Sequence, residues 1–142
     1  MTAETQTYAT HKRIDPWYHY LGFGLALLIL IMAVVHPFRG HGGGWQVFAS
    51  VLILLMFMKL RIYALRNQDR IIRLEETLRM QSLLGEDLRA RIPQLRPGQF
   101  VALRFASDGE LPARVKEALD EGLAGAEIKK RIQSWRPDTF RV

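Results

Sequence analysis

The chain has 142 residues, nearly half of them hydrophobic, a formal net charge of +6 and no cysteine. That length leaves room for one domain, and the missing cysteines exclude disulfides and thiolate chemistry. Apolar residues concentrate before residue 65 and charged ones after it, so the two parts suit different solvents.

Residues 1–16, MTAETQTYATHKRIDP, are polar and mixed in charge. They contain no apolar stretch ending in a small-residue cleavage site, so the first apolar segment is expected to remain as an anchor. Residues 17–38 carry no Asp, Glu, Lys or Arg and are long enough to cross hydrocarbon, which takes roughly 20 residues. Gly22 and Ala26, four apart, form a small face that lets another helix approach closely. Residues 39–44 are a glycine-rich loop suited to a tight reversal. Residues 45–63 form a second, shorter span. Trp17, Tyr18 and Tyr20, then Phe38 and Trp45, then Tyr63, fall where interfacial aromatic belts belong.

Seven Lys or Arg residues lie near the outer flanks of the two spans, against Arg39 alone in the loop between them. This predicts both termini in the cytoplasm, with Lys59, Arg61, Arg66 and Arg70 reaching anionic lipid headgroups. Neither span has a charged residue at its middle, which argues against an ion or proton pathway.

No Gly or Pro interrupts Trp45 to Leu84, so one helix about 60 Å long is expected, with residues 64–84 as its cytoplasmic continuation. Leu65, Ile72 and Leu78, flanked by Ile71 and Leu74, form an apolar stripe that requires a partner. Asp69 with Arg73 and Glu75 with Arg79 have the i,i+4 spacing of supporting ion pairs.

Residues 85–142 read as a small helical domain. Gly85 stops the long helix, and Glu86 to Ile92 forms a short one ending before Pro93. Pro97 opens another that carries Phe100, Val101, Leu103 and Phe105. Ser107 and Glu110 resemble a capping box, followed by Leu111, Val115, Ala118 and Leu119 on one face and Gly122 as a left-handed cap. Ile128, Ile132 and Trp135 repeat at helical spacing until Pro137 closes the last helix. So small a domain is marginal alone. It is expected to dock on the stripe or on a partner, with Trp135 and Phe140 seeking neighbours.

Residues that could carry chemistry are few. The four histidines, at 11, 19, 36 and 41, have no metal-ligand spacing, although His36 and His41 both lie near the outer end of the hairpin. His36 could ligate the magnesium of a chlorophyll-type pigment through a neutral imidazole. The residue four before it is Met32, however, where light-harvesting polypeptides carry a small one. GHGGGW departs from both the P-loop and the dinucleotide fingerprint, and no Ser, His and acid can be brought together, so neither catalysis nor a resident cofactor is expected. From Lys59 onward 17 basic residues are intermixed with 12 acidic ones, a pattern that suits lipid headgroups better than nucleic acid.

The motifs YATHKRIDPWYHY, RNQDRIIRLEETLR, LRFASDGELP and IKKRIQSWRPDTFRV resemble a family of small bacterial two-span membrane proteins catalogued as a domain of unknown function. The resemblance implies a polar start, two spans and a cytoplasmic helical tail, and transfers no catalytic residue. The fold class expected is an all-α membrane protein: a two-helix transmembrane hairpin, its second span continuing as a long cytoplasmic helix, plus a small C-terminal helical domain. The unpaired faces suggest a non-catalytic accessory subunit packing beside other membrane-protein subunits of an energy-transducing complex, photosynthetic or respiratory. The alternative is a free-standing anchored adaptor that recruits a soluble partner or contacts anionic lipid.

Overall fold

Asp15 and Pro16 open the first helix. The Asp15 carboxylate accepts hydrogen bonds from the backbone N–H groups of Trp17 (3.0 Å) and Tyr18 (3.3 Å), while Pro16 lacks the N–H that a first helical turn leaves unused. In the computed structural model, which describes residues 7–8, 15–35 and 43–138, Trp17–Gly22 is wound as a π-helix. It leads into helix α1, Phe23–Val35. Helix α2 then runs Gly44–Leu83, 40 residues without a break, as the absence of glycine and proline from its interior permits. The stretches Trp17–Val35 and Gly44–Leu83 are both long and apolar enough to cross a membrane. The expectations for Lys12, Arg13, His36, Phe38, Arg39, His41 and Phe140 fall outside the described residues.

The chain divides into two compact units, Arg13–Leu65 and a second formed by Met1–Lys12 with Arg66–Val142. In the first, small residues are the buried ones: Ala26, Ala33 and Ser50 are nearly inaccessible, whereas Leu28, Met32, Leu55 and Met56 are about half exposed. Ser50 spends its hydroxyl on the carbonyl of Val47, 2.8 Å away. Close approach over small side chains, with bulky ones pointing outward, is the packing expected where the surroundings are apolar.

The second unit is built around a core to which α2 contributes Met80 and the residue just past its end contributes Leu84. Gly85 ends α2 in an extended conformation (φ −66°, ψ 162°), and the Arg89 guanidinium donates to the Leu84 carbonyl (2.9 Å). Helix α3 covers only Glu86–Arg89. The short helix expected to reach Ile92 stops earlier, and Pro93 lies inside a separate 3₁₀ turn, Ile92–Gln94, where its missing N–H costs nothing. Helices α4, Pro97–Leu103, α5, Leu111–Asp120, and α6, Gly125–Arg131, follow. Phe100, Leu103, Phe105, Leu111, Val115 and Ile128 close the core.

Helix α6 crosses α4 so closely that a Cβ on Gly125 would stand 2.7 Å from the carbonyl oxygen of Gly98. Gly122 has φ +63°, the left-handed conformation expected of it.

Two expectations need correction here. Ser107 caps α5 through its main chain: its carbonyl accepts from the N–H groups of Glu110 (3.1 Å) and Leu111 (2.9 Å). The Glu110 side chain reaches away, to the N–H groups of Gln133 (3.1 Å) and Ser134 (2.8 Å). Those contacts also explain the second correction. The last helix ends at Arg131, not at Pro137, because the following N–H groups are taken by Glu110 and the chain turns extended. Trp135 then pairs with Ala106 in a single antiparallel bridge, with Ser107 N–H donating to Ser134 O (3.0 Å) and Arg136 N–H to Phe105 O (2.7 Å).

Candidate functional site

Helix α2 below Leu65 has apolar residues on two sides. Ile72, Glu76, Met80 and Leu84, spaced by four, drift only about 40° per step around the helix and share one side. All four are buried, Ile72 at 6% exposure and Met80 at 0%. Ile71, Leu74 and Leu78 lie on the opposite side and are 56%, 63% and 60% exposed. The stripe read from sequence therefore mixes two faces. Ile72 is buried, whereas Leu78 stays open. Leu65, which belongs to the other unit, is 38% exposed.

The buried face holds one carboxylate. Arg79 donates to Glu76 Oε2 (3.0 Å), to Asp108 Oδ1 (2.6 Å) and to the Ala106 carbonyl (2.7 Å). Arg136 comes within 3.5 Å of Glu76 Oε1. Burial still dominates and pushes the Glu76 carboxyl above its ordinary range, against the pull of the two guanidiniums. A native state that holds this proton more tightly than the unfolded chain loses stability as pH rises from the ordinary carboxylate value through the raised one. Glu76→Gln should therefore flatten that part of the pH–stability curve in the full-length protein, measured by amide exchange of α4 to α6. An unchanged slope would show that Glu76 is ionised at no cost. Glu121 moves the other way, held low by its hydrogen bond from Arg131.

Neither expected i,i+4 ion pair forms. Arg79 turns to Glu76 and Asp108, and the Arg73 guanidinium carbon lies 5.8 Å from the centre of the Phe100 ring. Glu75 and Arg70 are exposed and make no ion pair among the described residues.

The remaining predicted residues have these places. Trp135 is not an exposed docking anchor: its ring lies 5.2 Å from that of Phe105, and its indole N–H donates to Ile132 O (3.1 Å). Gly22 lies against the ring of Phe57, which a Cβ there would penetrate, so its neighbour is α2. Tyr18 stacks on Phe57 at 4.4 Å and 9° and donates its hydroxyl proton to the Phe57 carbonyl (3.1 Å). Arg61, expected at lipid headgroups, lies 5.5 Å from the centre of the Tyr18 ring. Lys59, Arg66 and Arg70 are exposed. Sequence reasoning missed Glu76, Met80 and Leu84; their spacing of four from Ile72 was the available signal.

No curated protein and no solved structure matches the chain. A family model does match residues 1–142, and the chain belongs to the family it describes, the family of unknown function DUF6526.

Proposed function

We propose that this protein is a non-catalytic, two-span protein of the bacterial inner membrane that works by presenting a helical docking face on the cytoplasmic side. The observation that carries the reading is the open apolar face of α2, Ile71, Leu74 and Leu78, beside a C-terminal core that is already closed without it. Two spans forming a hairpin are supported by the contacts of Tyr18 and Gly22 with Phe57. Both termini on one side are supported by Tyr8, whose ring centre is 6.0 Å from Lys130 Nζ within the same unit. The basic flanks Lys59 and Arg66 suit anionic lipid.

A free-standing adaptor and an accessory subunit of a photosynthetic or respiratory complex both use such a face. The closed core favours the adaptor, since the C-terminal helices need no foreign protein to bury their apolar side chains. Native electrophoresis after mild solubilisation separates the two. We expect a small species containing this chain. Co-migration with a larger complex at fixed stoichiometry would establish the subunit instead.

A further inference from the structure

We propose that the docking partner is a second copy of this chain, and that the two α2 helices pair below the membrane as a short parallel coiled coil. The proposal rests on the two-span reading in one respect: copies anchored in one bilayer in one orientation present their α2 helices side by side and parallel.

The open face has the period of a coiled-coil seam. Asn67, Ile71, Leu74, Leu78 and Gln81 are separated by four, three, four and three residues, which places Ile71 and Leu78 at a positions and Leu74 at d. Ile71 at a with Leu74 at d is the combination that favours two strands over three or four, whereas Leu78, at the other a position, is not β-branched. Asn67 and Gln81 bound the apolar layers, so the seam is short, and tethering in the membrane supplies the effective concentration that three layers alone do not.

Charge selects the partner. In this register Arg70 is at g and Glu75 at the following e, five residues on. A parallel two-fold dimer sets Arg70 of each copy against Glu75 of the other, twice by symmetry. Both side chains are exposed and neither has an ion-pair partner among the described residues. The next such pair, Thr77 with Ser82, is uncharged. The surface is thus complementary to itself in heptad spacing and in sign. Asp69 occupies the f position, away from the seam.

Because the chain has no cysteine, single cysteines report on pairing directly. In membranes from cells making the full-length protein, mild oxidation should join Leu74→Cys into a covalent dimer and leave Asp69→Cys monomeric, since a disulfide needs Cα atoms within about 7 Å. Adding Arg70→Glu to Leu74→Cys should lower the dimer fraction several-fold by setting like charges together. Adding Glu75→Arg as well should restore it. Absence of the dimer, equal joining at positions 69 and 74, indifference to the charge swap, or cross-links only to other proteins would each overturn the proposal. Alkaline extraction of the same membranes tests the anchoring separately: release of the chain into the supernatant would remove the two-span reading, and the cross-linking pattern would still decide whether the helices pair.

Discussion

Gln99→Leu should loosen the C-terminal unit by about 2–6 kcal/mol, the cost of leaving one buried and one partly buried backbone group unsatisfied at about 1–3 kcal/mol each. Gln99 is buried, yet its amide joins three segments. Its Oε1 accepts from the N–H of Arg96 at the start of α4 (2.8 Å). Its Nε2 donates to the carbonyls of Ala118 near the end of α5 (3.1 Å) and Leu123 ahead of α6 (3.0 Å). Leucine fills similar space and makes none of these bonds. Leu123 O keeps a second donor, Arg96 Nη2 at 3.0 Å, so the main losses fall on Arg96 N–H and Ala118 O. Amide exchange over α4 to α6 in the solubilised full-length protein should accelerate about a hundredfold for a loss near 3 kcal/mol. Exchange unchanged in that region would mean that water replaces the side chain without cost.

The two opposite faces of α2 show where reading from sequence reaches its limit. That α2 is one helix follows from local information, because nothing between Trp45 and Leu84 breaks it. Which face it buries does not. Apolar residues occur on both sides of the segment, and the buried side is interrupted by Glu76, so a count of hydrophobic spacing prefers the uninterrupted side. What makes Glu76 tolerable there is Arg79, itself bonded to Asp108, together with Arg136, 60 positions away. No periodicity reveals partners that distant. The end of the last helix has the same character: Ile132 and Trp135 continue the helical spacing, but Glu110 takes the N–H groups that would extend it. By contrast, Leu111, Val115 and Ala118 were legible as a core face, and Gly122 as a left-handed cap, because both depend only on neighbours in sequence.

The face made by Gly22 and Ala26 was legible as a contact, though its partner was not, and the partner decides what a substitution does. Gly22→Leu is expected to force α1 and α2 apart, because the ring of Phe57 occupies the space a side chain would need. That ring also stacks on Tyr18, so it cannot swing away without losing the stack. Overpacking of this kind costs about 1–3 kcal/mol. The heat-induced loss of the monodisperse solubilised protein should begin several degrees lower. Phe57→Ala alone should also destabilise, by removing the stack. Combined, the two should cost less than their sum, with a coupling of at least about 0.5 kcal/mol, because the shortened side chain at 57 leaves room for leucine at 22. Strictly additive effects would mean that Gly22 faces lipid or a foreign helix. Rescue would instead assign the small face to the chain's own second helix.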